Sequence, residues 1–251
     1  MKILVTGHKG FIGQYFYKRL QKDHVVDGYE WGQQFPGYDY DLIVHLGAIT
    51  STTETDVEKV MKQNYDFSVA LLENCHRHGV NLQFASTAAI YGKNNRFDEA
   101  APPDPLTPYA WSKYLFERYV QQHDWDIVVQ CFRYFNVYGP GEEHKGAQAS
   151  PYSKFAKQYQ EQGFVELFEG SEHYYRDFIP VETVFDLQNR FMSVDQSGLF
   201  NLGTGQSKSF LSVALEVTNS IKFIPMPDNL KSSYQRYTCA DMTKTRSILR
   251  L

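Results

Sequence analysis

The sequence is poor in cysteine and has no long apolar run. Its three cysteines, Cys75, Cys131 and Cys239, lie far apart and match no metal-ligand spacing. Neither a disulfide framework nor a metal site is therefore predicted. No stretch approaches the roughly 18 consecutive apolar residues of a membrane span, and the first residues form a strand pattern rather than a signal peptide. These absences predict a soluble, cytoplasmic protein without a membrane partner.

An excess of basic charge is also missing. The formal net charge is −4, and no basic run exceeds two residues, so a nucleic-acid partner is not expected. Hydrophobic residues make up 42% of the 251 positions and aromatic residues 16%. This composition excludes a disordered chain and fits one or two globular domains. The aromatic residues suit either a core or a ligand cleft.

Short apolar runs alternate with helical patterns over the first two-thirds of the chain. This rhythm predicts a parallel β-sheet with helices on both faces. The predicted strands are Ile3–Thr6, His24–Asp27, Leu42–Leu46, Leu82–Ser86 and Ile127–Phe132. The stretch between Asp27 and Leu42 is rich in glycine and too short for a complete crossover unit. The fold class predicted is therefore α/β, a Rossmann-like sheet shortened by one β/α unit.

The pattern changes after Gly139-Pro140-Gly141, where strands and helices become shorter. We interpret this change as the beginning of a small C-terminal substrate lobe. The predicted dinucleotide-binding domain comprises residues 1–140 and 177–205, and the predicted substrate-binding lobe comprises residues 141–176 and 206–251.

A glycine motif, Gly7-x-x-Gly10-x-x-Gly13, follows the first predicted strand and opens a helix. Glycines in this context permit a tight turn and let a pyrophosphate approach the backbone N–H groups of the helix N-terminus. Asp27 lies 20 residues after Gly7, near the end of the second predicted strand. A carboxylate there is placed to hold a ribose 2′-hydroxyl of a dinucleotide.

Tyr109 and Lys113 are four residues apart on a predicted helix, which places them one turn apart on the same face. A tyrosine acts as a base near neutral pH only if its pKa falls about three units, equivalent to about 4 kcal/mol. The ammonium of Lys113, together with the positive charge of a nicotinamide, would favour that change. Ser86 and Thr87 provide hydroxyls at a strand's carboxyl end, where open α/β sheets bind ligands.

These motifs resemble the extended short-chain dehydrogenase/reductase superfamily, whose members modify nucleotide sugars. Further segments are similar to ADP-L-glycero-D-manno-heptose 6-epimerases, namely F-R-Y-F-N-V-Y-G-P from Phe132, H-K-G from His144, F-E-G-S from Phe168 and L-K-x-x-Y-Q from Leu230. The matching segments extend from about residue 1 to residue 248 in the family's order.

The resemblance implies an epimerase that oxidises a sugar carbinol to a ketone with bound NADP or NAD and then returns the hydride to the opposite face. Its substrate would be a nucleotide-diphosphate sugar, with carbon 6 of a heptose as the reacting centre. Two acid/base groups are implied, Tyr109 and Lys145, with Lys113 on the nicotinamide ribose and Thr87 in place of the family's serine. By analogy, the protein would form a homo-oligomer.

The implied binding residues form two sets. Those for the cofactor are Gly7, Gly10, Phe11, Ile12, Gly13, Asp27, Gly47, Ala48, Asn64, Lys113 and Val137. Those for the substrate are Ser51, Thr52, Asn136, Phe168, Glu169, Gly170, Ser171, Arg176 and Tyr234.

The sequence departs from the epimerase pattern in several places. The family's lysines for a 2′-phosphate fall in the missing segment, which leaves NAD and NADP open. Ala147 replaces a serine and Lys154 a histidine at substrate-lining positions, which leaves the sugar open. The sequence also stops soon after Ile248, without the family's final helical segment. We expect an intact set of catalytic residues in a shortened dinucleotide-binding domain, with weaker or more promiscuous dinucleotide binding.

Two alternatives stay open at this point. The first is another nucleotide-sugar enzyme, such as a 4-epimerase or a reductase; a dehydratase is disfavoured because Ala88-Ala89 follow Thr87. The second is a non-catalytic dinucleotide-binding protein. The joint presence of Tyr109, Lys113 and Lys145 favours an enzyme, since a pure binding protein has no use for the tyrosine.

Overall fold

The structure is a computed structural model and describes residues 1–51, 54–228 and 235–251. The strands of the described residues are β1 (Lys2–Thr6), β2 (Val25–Tyr29), β3 (Leu42–His45), β4 (Asn81–Thr87), β5 (Val129–Tyr134), β6 (Asn136–Tyr138), β7 (Val165–Phe168), β8 (Tyr175–Arg176), β9 (Phe178–Pro180), β10 (Gly198–Leu202), β11 (Lys208–Ser209) and β12 (Ile221–Ile224).

The α-helices of the same residues are α1 (Phe11–Leu20), α2 (Val57–Val60), α3 (Phe67–His78), α4 (Pro108–Gln121), α5 (Pro151–Gln162), α6 (Val181–Arg190), α7 (Phe210–Val217) and α8 (Thr243–Leu249). A π-helical segment, Met61–Asp66, joins α2 to α3. Among the described residues, no helix is long and apolar enough to cross a bilayer.

Six strands form the main sheet in the order β10-β5-β4-β3-β1-β2, and all neighbours are parallel. The predicted Rossmann-like class is confirmed. From β1 the chain runs outward to β2 on one side and then crosses to β3 on the other. Open α/β sheets bind their ligands in the crevice at such a switch point, beyond the carboxyl ends of the strands.

The predicted loss of one β/α unit is also confirmed, because β2 is an edge strand and residues 30–41 contain neither helix nor strand. The predicted end of β2 is wrong by two residues, since the strand continues through Gly28 to Tyr29. Asp27 therefore lies within the strand, with its side chain exposed, and Glu30 is the carboxylate that follows the strand's end.

Strand residues alternate between the two faces of the sheet, and each face has its own core. Ile3 and Val5 pack with α1 and α6 on one face, whereas Leu4 packs with α3 and α4 on the other. Both faces of β3 and β5 are buried. Strand β3 accordingly begins with the apolar run Leu42–Val44, whereas β5 includes the buried polar residues Gln130 and Arg133. This double cover holds the carboxyl ends of the strands in fixed positions.

The second lobe has a smaller core beside the main sheet. Strand β7 pairs in parallel with β12, and α5 and α7 pack around Phe155, Leu167 and Val213. The last helix, α8, returns to the main sheet, where Ile248 and Leu249 pack against the first core. The domain boundaries drawn from the sequence stay a prediction.

Candidate active site

A cavity of about 460 Å³ opens at the carboxyl ends of β1, β3, β4 and β5. Its wall brings together residues that the sequence places in seven separate segments. The predicted site residues that line it are Gly7, Gly10, Phe11, Ile12, Gly13, Gly47, Ala48, Thr87, Tyr109, Lys113, Asn136, Val137 and Lys145.

The glycine loop forms one end of this cavity. Its first and last positions must be glycine, because a larger side chain would not fit there. A Cβ atom on Gly7 would lie 2.5 Å from Cα of Gly47, and one on Gly13 would lie 1.9 Å from the Gly7 carbonyl oxygen. Helix α1 then begins at Phe11, and its N-cap residue, Gly10, has no side chain to cap the first N–H groups. This donor set, at the positive end of a helix dipole, fits a pyrophosphate.

Glu30 is the carboxylate in the cavity wall. It accepts a hydrogen bond from the backbone N–H of Lys9 at 2.6 Å, and Nδ1 of His8 lies 3.3 Å from its Oε1. Asp27 does not line the cavity, and its carboxylate accepts a hydrogen bond from the hydroxyl of Tyr40 at 2.9 Å. Glu30 is not among the residues predicted from the sequence, because the second predicted strand ends two residues before the observed one.

A smaller cavity of about 110 Å³ adjoins the glycine loop beside Glu30. It is lined in part by three aromatic side chains, of which Tyr29 and Phe67 are stacked with ring centroids 5.7 Å apart. Trp31 meets Phe67 edge-on at 5.3 Å. Trp31 belongs to the loop that stands in place of the missing β/α unit, so this loop contributes a flat aromatic wall.

Lys113 is buried beneath the cavity, with 2% of its surface exposed. Its Nζ donates a hydrogen bond to the carbonyl oxygen of Ala85 at 2.8 Å and lies 4.3 Å from the ring centre of Phe84. Burial lowers the pKa of Lys113 to about 7. The amine is therefore held in one position, and its proton is more readily lost than that of a surface lysine.

Tyr109 lies one turn before Lys113 on α4, and its hydroxyl is hydrogen-bonded with Thr87. Burial raises the pKa of Tyr109 above its ordinary value, while the bond with Thr87 acts in the opposite direction. The lowering of this pKa by Lys113 together with the positive charge of a nicotinamide stays a prediction. Burial in the protein chain by itself thus favours the protonated phenol of Tyr109, and positive charge arriving with a ligand would favour the phenolate.

Helix α4 is fixed in place by hydrogen bonds at two levels. Thr107 caps it by accepting a bond from the N–H of Ala110 at 3.2 Å. Ser112 donates to the carbonyl oxygen of Tyr109 at 2.7 Å and receives a bond from Asn64 at 3.1 Å. Because the amide of Asn64 also bonds both backbone groups of Ile49, Asn64 lies behind the cavity wall and connects that loop to α4.

A buried ion pair supports the same helix from below. The guanidinium of Arg133 lies 2.6 Å from the carboxylate of Glu117 on α4, and Ser86 donates a hydrogen bond to that carboxylate at 2.5 Å. Breaking a buried pair is strongly destabilising, because it leaves an uncompensated charge. This network therefore fixes α4 against β4 and β5 directly beneath Thr87.

Lys145 enters the cavity from the loop that follows β6. Its Nζ lies 5.1 Å from the ring centre of Phe11 and 3.9 Å from Oε2 of Glu142. Burial lowers the pKa of Lys145, the charge of Glu142 raises it, and Lys154 lowers it. Tyr109 and Lys145, the two predicted acid/base groups, thus line one cavity from different elements of the fold.

The predicted substrate residues are mostly not part of this cavity wall. Asn136 lines it, whereas Ser51, Arg176 and the segment Phe168–Ser171 do not. The guanidinium of Arg176 donates to the carbonyl oxygens of Tyr175 and Gln235 at 2.8 and 2.5 Å. Thr52 and Tyr234 lie outside the described residues.

The fold and this cavity together define a class of protein. A parallel sheet carries a glycine loop at its switch point, and a Tyr-x-x-x-Lys pair on the neighbouring helix lies beside a strand-end hydroxyl. That combination is the dinucleotide site of a short-chain dehydrogenase/reductase. The sequence profile of the NAD dependent epimerase/dehydratase family matches residues 26–203, and the chain belongs to this family.

Solved structures of similar fold include enzymes that act on nucleotide sugars. The ADP-L-glycero-D-manno-heptose-6-epimerase of Helicobacter pylori is 26% identical, with a TM-score of 0.89 over 99% of this chain and 90% of that one. The UDP-glucose 4-epimerase of Thermotoga maritima, solved with UDP-glucose, is 26% identical, with a TM-score of 0.88 over 100% and 93%. The UDP-glucose 4-epimerase of Thermus thermophilus, solved with NAD, is 26% identical, with a TM-score of 0.81 over 98% and 92%.

These findings confirm the superfamily and enzyme class inferred from the motifs. The family is NAD-dependent, which agrees with the predicted cofactor. Membership in a family of epimerases and dehydratases, together with these neighbours, supports the epimerase prediction over that of a non-catalytic binding protein.

Proposed function

We propose that this protein epimerises the sugar of a nucleotide-diphosphate sugar by oxidising one carbinol to a ketone and reducing it again on the opposite face. The observation that carries this proposal is the meeting of Thr87, Tyr109, Lys113 and Lys145 in one cavity with the glycine loop. Oxidation of the carbinol needs a proton acceptor and reduction of the ketone needs a proton donor, and Tyr109 and Lys145 provide one group for each half of the reaction.

The residues present fit a bound dinucleotide. The N–H groups at the start of α1 would hold its pyrophosphate, Glu30 the hydroxyls of its adenosine ribose, and Lys113 the hydroxyls of its nicotinamide ribose. The small cavity beside Trp31 and Phe67 offers flat surfaces for the adenine ring. When bound, the dinucleotide would supply the reversible hydride transfer at the sugar carbon.

The position of Glu30 favours NAD over NADP. A carboxylate beside the ribose accepts hydrogen bonds from two hydroxyls and repels a 2′-phosphate. Among the cavity-lining residues of the described chain, the loop after β2 contributes Glu30 and no cation. We therefore assign to Glu30, rather than to Asp27, the role of binding the adenosine ribose.

The chain's own groups handle the protons. Tyr109, as phenolate, takes the hydroxyl proton of the reacting carbinol, and the hydrogen bond with Thr87 stabilises that phenolate. Lys113 and the positive nicotinamide together favour that phenolate. After the ketone turns in the cavity, Lys145 gives its proton to the ketone oxygen as the hydride returns to the other face. Before the next turnover Tyr109 releases its proton to water and Lys145 regains one from water, and in the reverse reaction the two groups exchange roles.

The segments around Phe168–Ser171 and Arg176 stay proposed substrate residues on the second lobe, with Asn136 at the boundary between cofactor and sugar. Arg176 is suited to a diphosphate because its planar guanidinium can donate two parallel hydrogen bonds. The heptose of the Helicobacter pylori relative is the first candidate sugar. A hexose 4-epimerase is the second candidate, because the two UDP-glucose 4-epimerases match the fold at the same identity.

The predicted homo-oligomer would pair through α3 and α4. Trp111 on α4 is 47% exposed and Val57, at the start of α2, is 55% exposed, so apolar surface is available on this side for a second copy of the chain. Light scattering of wild type and Trp111→Glu tests the pairing: the substitution should yield monomers. The cytoplasmic location likewise stays a prediction.

The function is tested by incubating the protein with ADP-, GDP- and UDP-sugars and following the stereochemistry of the sugar by NMR, with and without added NAD. We expect one sugar nucleotide to reach an equilibrium mixture of two epimers without net formation of NADH. If the protein binds NAD but converts none of the sugars, the epimerase proposal is wrong. Formation of one oxidised or one dehydrated product instead would assign a different reaction to the same site.

A further inference from the structure

Glu142 is a carboxylate buried almost completely, with 1% of its surface exposed. Its Oε1 accepts hydrogen bonds from the N–H of Gly139 at 3.0 Å and from the hydroxyl of Ser150 at 2.8 Å. Its Oε2 accepts one from the N–H of Ser150 at 2.6 Å. These donors lie at the two ends of the segment 139–150, so a single side chain closes this segment into a loop.

Lys145 is carried by that loop. Its backbone N–H donates to the carbonyl oxygen of Glu142 at 2.9 Å, and its Nζ lies 3.9 Å from Oε2 of the same residue. The other groups that face its ammonium are the ring of Phe11, from the start of α1, and the charge of Lys154, from α5. Glu142 is thus the negative charge that faces Lys145 among the described residues.

We propose that Glu142 is the positioning residue for Lys145: it closes the loop that holds Lys145 in the cavity and supplies the negative charge that keeps its proton bound. This inference rests on the proposed function, in which Lys145 is the second acid/base group. Nothing in the sequence pattern marks Glu142, which stands in a run of charged residues that would ordinarily be solvated.

The contacts require a carboxylate rather than an amide. Both oxygens of Glu142 receive hydrogen bonds from N–H or O–H donors. A glutamine would direct its own N–H₂ group at one of those donors, and an unpaired buried donor is costly. A carboxylate therefore accepts the hydrogen bonds from Gly139 and Ser150 and leaves a net negative charge near Lys145.

The charge matters because the other surroundings of Lys145 favour its neutral form. Burial and the neighbouring Lys154 lower the pKa of Lys145, whereas Glu142 raises it. An acid/base group that must give and take one proton in each catalytic cycle works best with a pKa near the working pH. The opposing charges of Glu142 and Lys154 both act on the pKa of Lys145. Removing either charge should therefore move this pKa in a known direction.

The test measures the titration of the Lys145 amine directly, by competitive acetylation of the NAD-loaded protein at a series of pH values and mass spectrometry of the peptide. In Glu142→Gln the midpoint for Lys145 should fall by about one pH unit. In Lys154→Met it should rise. The matched control is Lys157→Met, which removes a lysine charge from the exposed side of the same helix, where Lys157 pairs with Glu161, and the midpoint should stay at the wild-type value.

The pH profile of turnover provides the second readout, and its limb assigned to Lys145 should move with the acetylation midpoint in each variant. A folded Glu142→Gln protein whose Lys145 midpoint equals that of wild type overturns the proposal. If Glu142→Gln does not fold, Glu142→Asp keeps the charge but moves it away by one methylene, and the midpoint should fall by a smaller amount. An unchanged midpoint in that variant is equally decisive against the proposal.

The two proposals fail in different ways, because acetylation needs no sugar. If wild type converts no nucleotide sugar but the Lys145 midpoint differs between wild type and Glu142→Gln, the epimerase function is contradicted. The coupling of Lys145 to Glu142 is then still supported. If wild type epimerises its substrate but the Lys145 midpoint is the same in wild type and Glu142→Gln, only the coupling of Lys145 to Glu142 is contradicted.

Discussion

The side-chain nitrogen of Lys113 donates a hydrogen bond to the carbonyl oxygen of Ala85 at a distance of 2.8 Å. This bond ties helix α4 to strand β4 two residues before Thr87. Since Tyr109 lies one turn earlier on α4, the same bond helps to fix the Tyr109 hydroxyl beside Thr87. The position of the reactive tyrosine therefore depends on a lysine whose charge also belongs to the site.

Replacing Tyr109 by phenylalanine should abolish turnover while leaving the fold and cofactor binding intact. The variant loses only the hydroxyl, and general acid/base groups typically contribute about 100- to 10,000-fold to a rate. Turnover, NADH binding by fluorescence and thermal unfolding should be measured together. The matched control is Tyr114→Phe on the same helix, outside the cavity wall, which should keep the wild-type rate. An active Tyr109→Phe enzyme would remove Tyr109 from the mechanism.

Replacing Glu30 by glutamine should shift the preference from NADH toward NADPH. Loss of the carboxylate removes repulsion of a 2′-phosphate, and a roughly tenfold gain in NADPH affinity corresponds to about 1.4 kcal/mol. Fluorescence titration with each reduced dinucleotide measures this ratio. Asp27→Asn serves as the control, because Asp27 bonds Tyr40 away from the cavity. A shift in the Asp27 variant and none in the Glu30 variant would restore the role to Asp27.

Adding a methyl group to Gly13 should destabilise the protein far more than adding one to Gly10. A Cβ on Gly13 would lie 1.9 Å from the carbonyl oxygen of Gly7, whereas one on Gly10 would lie 3.3 Å from that oxygen. We expect Gly13→Ala to lower the free energy of unfolding by about 2 kcal/mol or more, and Gly10→Ala by less than about 1 kcal/mol. Urea denaturation measures both, and equal losses would contradict the packing of the loop.

His45 should make the protein less stable in acid. Its ring nitrogens lie 2.6 Å from the hydroxyl of Thr6 and 2.8 Å from that of Ser68, and burial, with the nearby charge of Lys113, lowers its pKa to about 3. Below pH 6.5 the unfolded chain binds a proton that the folded chain does not. The free energy of unfolding then falls by about 1.4 kcal/mol per pH unit until the folded pKa is reached.

This pH dependence is measured by urea denaturation near pH 7 and near pH 5. Wild type should lose about 2 kcal/mol more than His45→Gln over that interval, because glutamine does not titrate. Equal losses in the two proteins would mean that His45 has the same pKa in the folded and the unfolded chain, which would contradict its lowered pKa in the fold.

The sheet was predictable because its signals are local. Apolar runs such as Leu42–His45 and the glycines after β1 follow from the packing of a parallel sheet and the turn that leaves it. The four-residue spacing of Tyr109 and Lys113 likewise predicts a shared helix face. The hydrogen bond from Lys113 to Ala85 joins distant segments, so no local pattern contains it.

Glu30 and Glu142 were not predictable from the sequence, and the physical reason is similar for both. Asp27 and Glu30 are both carboxylates near the end of β2, and because the strand continues two residues beyond its predicted end, Glu30 rather than Asp27 lines the cavity. Glu142 stands in a polar run, and only the three-dimensional closure of the loop between Gly139 and Ser150 buries it. Burial of a charged side chain is a tertiary property, which local sequence does not record.

The path of the hydrogen at the inverted carbon tests the proposed reaction most directly. The enzyme is incubated in deuterated water with the sugar nucleotide that it converts, and the epimeric product is examined by NMR and mass spectrometry. Oxidation and re-reduction through a retained NAD return the original hydrogen, so the product should carry no deuterium at the inverted carbon. Deuterium at that carbon would show inversion by proton removal and would contradict the redox mechanism at Tyr109 and Lys145.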